Sequence, residues 1–226
     1  NPPPGTGTSD IPANILIMLD NSGSMSAKLY NSVEVYYPLD VSTDSSGNVY
    51  VMEYHNNRIK VFDSSGVYLR SFGGYGSSCS RWAYARQFTI YDDKIYIADT
   101  YGHKIKVLNL KGGCIKQIST TFNYPHAIAV SSIYAYVGYP NNYISLYWRN
   151  SMNHDGSQAV NLSYSWGMSL NSAENKLIVA DYNRNRVIEF NVFNSGYNMM
   201  DVGVETGTSY SSSNGYFQRP TDAAYD

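Results

Sequence analysis

The chain has 226 residues, 43% of them hydrophobic and 15% aromatic, with 16 Lys and Arg against 18 Asp and Glu, a net charge of −2. So even a balance supplies no field for polyanionic nucleic acid or an anionic membrane, and no apolar run reaches the ~20 residues needed to span a bilayer as a helix. The 23 Tyr and 18 Gly, with many Ser and Asn, suit pleated strands joined by tight turns; an all-β fold is expected, at a length such folds use as a single unit.

Taken from the N-terminus, residues 1–12 are a Pro- and Gly-rich leader without the basic and apolar regions of a signal peptide, as in a mature or trimmed chain. Residues 13–33 form a second unit, which opens "ANILIMLDNSGSM". Ile15, Leu16, Ile17 and Leu19 do not alternate with polar residues, the pattern of a strand buried on both faces, as in a parallel sheet. Such a strand must pair, either within this chain or in a sheet of another. Directly after it, Asp20, Ser22 and Ser24 offer one carboxylate and two hydroxyls, and Gly23 permits a sharp turn. Hard oxygen donors at this spacing suit Mg²⁺, Mn²⁺ or Ca²⁺, with water and a partner's carboxylate completing the shell.

Residues 34–226 are organised by a repeat. Four segments, "VYVMEYHNNRIKVFD", "IYIADTYGHKIKVLN", "AYVGYPNNYISLYWR" and "LIVADYNRNRVIEFN", each join two apolar, period-two runs. Copies one, two and four carry an acid and a base across the turn: Glu53 with Arg58, Asp99 with Lys104, Asp181 with Arg186. These pairs are expected to be structural bridges. A further strand precedes each segment at a Pro-like corner, Pro38, Ala85, Pro125 and Ser165, spaced by 47, 40 and 40 residues, and another follows, as in "VYLRSFG" and "CIKQIST". Four strands at this period make a propeller blade. A fifth corner, Pro220 in "YFQRPTDAAYD", opens another blade near the end of the chain, so four blades and the start of a fifth are expected and the ring reads as incomplete within these residues.

The pattern in "YPLDVSTDSSGNVYVMEYHNNRIKVFDSSGVYLRSFG" resembles NHL repeats, over about residues 37–200, which implies a β-propeller of four-stranded antiparallel blades. The Asp20-x-Ser22-x-Ser24 loop after an apolar strand resembles the metal-ion-dependent adhesion site of von Willebrand factor A (vWA) domains. That resemblance implies Asp20, Ser22 and Ser24 as first-loop ligands for Mg²⁺ or Ca²⁺. The Thr and Asp of two later loops, and the α/β remainder, are not visible. The wording "NPPP…ANILIMLDNSGSM" is similar to the start of PilY-type adhesins of type IV pili, with the propeller inserted after the first metal loop.

Other candidates are weaker. His55 and His103 occupy equivalent turns, without the H-E-x-x-H frame of a metal site. Tyr134, Tyr136, Tyr139, Tyr143 and Tyr147 cluster in the third copy with Trp148; blade packing accounts for them, and an exposed subset would suit carbohydrate contact. Cys79 and Cys114 fall at opposite ends of the strands, so a disulfide requires the loop 73–81 to fold over the rim. No nucleophile elbow, Walker loop or dinucleotide fingerprint is present.

The function expected is a non-catalytic, extracellular or cell-surface binding module, bacterial by its resemblance. Its partners would be a protein or surface glycan, type IV pilus components or copies of itself, with no nucleic acid. The alternatives are a filament subunit assembled by donation of the N-terminal strand, and a propeller enzyme of the lyase or lactonase kind with ligands converging on the channel.

Overall fold

Short runs rich in Val, Ile and Tyr alternate along the chain with breaks rich in Asp, Asn, Ser and Gly. In the computed structural model, which describes residues 27–29, 33–192, 200–201 and 219–224, those runs are strands and those breaks are turns. A two-stranded hairpin, β1 (Ala27–Leu29) and β2 (Val33–Val35), comes first. Four antiparallel meanders follow. Blade one holds β3 (Pro38–Thr43), β4 (Val49–Glu53), β5 (Arg58–Phe62) and β6 (Tyr68–Gly73). Blade two holds β7 (Gln87–Tyr91), β8 (Lys94–Asp99), β9 (Lys104–Asn109) and β10 (Cys114–Ser119). Blade three holds β11 (Ala127–Val130), β12 (Tyr134–Gly138), β13 (Tyr143–Trp148) and β14 (His154–Ala159). Blade four holds β15 (Ser165–Leu170), β16 (Lys176–Asp181), β17 (Arg186–Asn191) and β18 (Met200–Asp201), with a 3₁₀ turn at Tyr182–Arg184. The blades form a propeller ring with β3, β7, β11 and β15 innermost, as the repeat implies. There is no α-helix among the described residues.

The turns are closed by side chains written into the repeat. "DSSG" occurs twice: the Asp44 carboxylate accepts the N–H groups of Ser46 and Asn48, and the Asp63 carboxylate those of Ser65 and Val67, at 2.9–3.0 Å. Asn109 does the same for Lys111 and Gly113, both at 2.9 Å. A short acceptor reaching two residues ahead offers the backbone its turn. Gly112, at φ +85°, has no room for a side chain, since a Cβ there would come within 2.5 Å of the Phe72 ring.

The middle strands of blades one to three are buried over most of their length, because these blades are covered on both faces. Along β4, Tyr50 and Met52 pack toward blade two, while Val49 and Val51 pack toward Val35 of β2. Along β12, Ala135 and Val137 face blade two, and Tyr134 and Tyr136 face blade four. The period of two thus sorts side chains between two cores rather than between core and water. The fourth strands β6, β10 and β14 carry only half-buried and exposed residues.

The acids of the repeat join the corner before a blade to the turn between its second and third strands. Glu53 accepts the Tyr36 N–H at 2.7 Å, Asp99 the Ala83 N–H at 2.8 Å, and Asp181 the Ser163 and Tyr164 N–H groups at 2.9 and 3.1 Å. Their cations are Arg58 and Lys60 for Glu53, and Arg186 for Asp181 at 3.0 Å. For Asp99 the expected Lys104 gives way to Lys106, whose Nζ lies 3.0 Å from the carboxylate and also donates to the Ser78 and Arg81 carbonyls. Lys106 is fully buried and satisfies those carbonyls together, which the half-exposed Lys104 does not.

Cys79 and Cys114 form a disulfide, with Cα atoms 5.5 Å apart. Loop 73–81 folds back over the rim, fastened by Gly76 N–H to the Trp82 carbonyl and Trp82 N–H to the Gly74 carbonyl, and so brings Cys79 to the start of β10.

Two outcomes follow for stability. Asp181→Ala leaves Arg186 buried without its carboxylate and is expected to cost about 3–5 kcal/mol in urea unfolding at pH 7. Replacing both cysteines by serine reopens a loop with a sequence separation of 35 residues, and is expected to lower unfolding free energy by about 2–4 kcal/mol, with a matching fall in thermal midpoint.

Candidate functional site: the central channel and its aromatic mouth

Matching the corners places equivalent residues in rings. Two positions past the residue that precedes each corner, Tyr37, Tyr84, Tyr124, Tyr164 or Arg219, come Leu39, Arg86, His126, Trp166 and Thr221; one further come Asp40, Gln87, Ala127, Gly167 and Asp222. The second ring lies at the waist of the channel. Segment 219–224 runs against β15 so closely that a Cβ on Gly167 would lie 2.4 Å from Asp222 Oδ1 and 2.9 Å from the Thr221 carbonyl.

Innermost strands of neighbouring blades belong to separate sheets, so their channel-facing N–H groups need other acceptors. Asp40 Oδ2 accepts the Phe88 N–H at 2.8 Å, and Ser42 Oγ the Ile90 N–H at 3.3 Å. Gln87 Oε1 accepts from Ile128 at 2.9 Å and Met168 at 3.2 Å, while its Nε2 donates to the Met168 carbonyl at 3.1 Å. Three blades are therefore tied through one glutamine. Burial, then the Asp222 charge, push the Asp40 carboxyl well above the usual range, against the opposing effect of the Phe88 and Val41 N–H groups. On one side of this waist the channel widens to a cavity of about 390 Å³ lined by polar groups including Ser42, Thr89, Ser169 and Glu174.

On the other side lies the mouth, and here the residues before the corners matter. Tyr37, Tyr84 and Tyr124 are left-handed, at φ 48°, 50° and 60°. That conformation costs a bulky residue about 1–2 kcal/mol. Its recurrence at one register marks a built feature that turns each ring outward. Turn residues are tied to the corners by Tyr54 N–H to Tyr37 O, Tyr101 N–H to Ala83 O and Tyr182 N–H to Tyr164 O. The result is a run of edge-on contacts from Tyr37 through His55, Tyr84 and Tyr101 to Tyr124, with centroids 4.5, 6.5, 5.8 and 5.7 Å apart. Tyr36, Tyr75, Tyr101 and Tyr124 are 53%, 66%, 51% and 42% exposed.

Within this crown sits Arg86. Its guanidinium carbon lies 4.2 Å from the Trp166 ring centroid and 5.7 Å from that of Tyr54. Trp166 in turn stacks on Tyr182, with centroids 4.3 Å apart and planes 21° apart. Burial raises the Tyr54 and Tyr164 phenols, and Arg86 pulls both the other way. Burial and then Arg86 hold the His126 imidazole down to about 3, so it is neutral at physiological pH.

The residues singled out in the sequence fall in several places. Asp20, Ser22, Ser24 and the apolar strand before them lie outside the described residues. His55 and His103 are at the mouth as ring partners, His103 accepting the Tyr124 N–H on Nδ1 at 3.1 Å. No group of three or more His, Cys, Asp or Glu is placed to hold a metal among the described residues. Tyr134, Tyr136, Tyr139 and Tyr147 are buried in the blade cores, leaving Tyr143 and Trp148 at the surface. The rings gathered at the mouth are instead Tyr84, Tyr101, Tyr124 and Trp166, with Arg86 among them. Their signal was the tyrosine before each of four corners.

The NHL repeat family description matches residues 35–62, from β2 to the end of β5. No curated protein matches the sequence. Among solved structures, a Kuenenia stuttgartiensis hydrazine synthase chain aligns over 82% of this chain and 53% of its own, at 10% identity and a TM-score of 0.58. A streptogramin B lyase structure aligns over 73% and 53%, at 16% identity and a TM-score of 0.59. These likenesses are of fold, and the chain spans about half the length of either structure. The chain thus carries an NHL-type repeat within a β-propeller.

The channel gives one expected outcome. The folded protein holds the Asp40 proton more tightly than the unfolded chain, so stability from this group is full below the unfolded pKa and is lost as pH rises through the folded one. Asp40→Asn removes the charge and keeps an oxygen for one of the two backbone N–H groups, those of Phe88 and Val41, that the carboxyl accepts. Its shift of the thermal midpoint is expected to be more favourable at pH 8 than at pH 3.5; equal shifts at both would contradict the assignment.

Proposed function

We propose that the propeller is a non-catalytic binding module that presents its tyrosine-lined mouth to a partner at a cell surface, as an adhesion or pilus-associated domain. The observation that carries this reading is the exposed aromatic crown, gathered from three blades and held outward by backbone of unfavourable conformation. Rings that offer a large apolar face and a hydroxyl tip are the usual contact residues of recognition surfaces. The Cys79–Cys114 disulfide supports an oxidising, extracellular setting.

The cation-dependent part rests on sequence alone, on Asp20, Ser22 and Ser24 with Mg²⁺ or Ca²⁺, and so does kinship with PilY-type adhesins. A lyase or lactonase reading draws on the enzyme names of two structural neighbours and would call on the channel carboxyl, Asp40. Both its oxygens accept backbone N–H groups, which suits a strut better than a proton donor to substrate.

Beads coated with the full chain test the proposal on epithelial cells and on purified type IV pili. Replacing Tyr75, Tyr101 and Tyr124 together by serine is expected to cut bead retention at least about tenfold, the loss of one or two contact hot spots, with the circular-dichroism melt unchanged. Retention equal to the parent on both surfaces would sink the reading. Concentration-dependent growth into filaments by the parent chain, seen in sedimentation velocity, would replace it with the structural-subunit alternative.

A further inference from the structure

The row of rings at the mouth begins where the N-terminal hairpin ends. Tyr36 and Tyr37 directly follow β2, and their rings lead through His55 to Tyr84, with successive centroids 4.5, 4.5 and 6.5 Å apart. From Tyr84 the row runs to Tyr101 and Tyr124 in steps of 5.8 and 5.7 Å, with Tyr75 5.9 Å from Tyr84. Neighbouring planes are turned by 61° to 87°, so ring edges alternate with ring faces along the row. Much of it meets water, since Tyr36, Tyr75, Tyr101 and Tyr124 are all exposed.

Such a surface selects among peptide partners. A strand would need an open sheet edge and a helix an apolar groove, and this end of the blades presents corners and turns. A polyproline II segment needs only aromatic surface and donors. Its prolines have no N–H to satisfy and its carbonyls have no internal partner. Phenol hydroxyls donate to such carbonyls, and the negative ring faces take the pyrrolidine C–H groups. The segment rises about 3.1 Å per residue, roughly 6.2 Å for two, close to the ring steps of 5.7–5.9 Å from Tyr75 to Tyr124. Because proline fixes φ beforehand, docking orders little chain.

The chain itself holds a segment of this kind. Asn1-Pro2-Pro3-Pro4 opens the sequence and lies outside the described residues. Ala27 pairs with Val35 in the hairpin, so the chain that precedes β1 joins it at the mouth end, beside Tyr36. Residues 5–26 separate Pro4 from Ala27, a stretch able to span up to roughly 70 Å, longer than the row of rings. Building on the proposed function, which uses the same rings, we infer that the tyrosine row is a docking site for a polyproline II segment and that its occupant is the chain's own leader, Pro2 to Pro4, which a surface partner must displace.

Calorimetric titration with a synthetic peptide of residues 1–8 tests this on the full chain and on a full-length variant carrying Pro2→Ser, Pro3→Ser and Pro4→Ser, whose own leader cannot compete. The peptide is expected to bind the variant, and to bind the parent about tenfold more weakly, since a tethered segment competes at an effective concentration of about 1 mM. Adding Tyr75→Ser, Tyr101→Ser and Tyr124→Ser to the variant is expected to weaken binding at least about tenfold, and melting profiles verify that both variants fold. A peptide with alanine at its three proline positions, no longer preorganised, is expected to bind about tenfold more weakly than the proline peptide. No binding to the leader variant, equal affinity of parent and variant, equal affinity of the alanine peptide, or an affinity unaltered by the tyrosine changes would each overturn the inference. So would parent dimers in sedimentation velocity that the leader variant lacks, which would give the site to the leader of a second copy. In any of those cases, bead retention that still depends on Tyr75, Tyr101 and Tyr124 leaves the adhesion reading standing. Its loss removes that reading separately.

Discussion

The backbone edges that face the axis set the terms for the whole ring. Each blade pairs its four strands only with one another, so β3, β7, β11 and β15 arrive at the channel with N–H groups that no neighbouring strand accepts. Buried and unpaired, each would cost about as much as a lost hydrogen bond. Asp40, Ser42 and Gln87 accept them from other blades, and so convert a set of orphan donors into the bonds that hold blade to blade. Apolar packing between the blades has little direction of its own. These polar bridges fix the angle at which the blades meet, and with it the width of the channel and the spacing of its mouth.

Two sides of the ring divide the work as a result. On the cavity side, turns closed by Asp44, Asp63 and Asn109 are local, self-satisfied and polar. On the mouth side the corners are long-range structures, in which Glu53, Asp99 and Asp181 reach back to backbone 16–18 residues earlier. Those buried acids hold the corners rigid enough to keep tyrosines in a left-handed conformation. The exposed rings therefore depend on carboxylates with no surface of their own.

Much of this was legible in the residues. The corner spacing and the repeated acid and base set the blade and its strand count, because a meander that cannot bury both faces must stack. The turn chemistry could be read letter by letter from "DSSG". What failed to show was the geometry between repeats. Lys106 rather than Lys104 pairs with Asp99 because a linker carbonyl, distant in sequence, needs the same ammonium. The disulfide hung on the path of a Gly- and Ser-rich loop whose hydrogen bonds no pattern announces. Tyrosine count alone could not separate rings in β12 and β13, caught between two blades, from rings at the corners, which meet water. Register separates them, since all four blade corners are preceded by tyrosine at Tyr37, Tyr84, Tyr124 and Tyr164.

Gln87 carries a consequence for how such a ring can change over time. Repeat proteins ordinarily grow or shrink by copying or deleting one unit, because each unit touches only its neighbours. A glutamine that bonds to β11 and β15 at once reaches past its neighbour, and a duplicated blade placed after the second would part it from Ile128 and Met168 together. The ring positions matched to it are Asp40, Ala127, Gly167 and Asp222, none of which has its length. The blades have become unequal members of one arrangement, and drift within any one of them is freer than a change in their order.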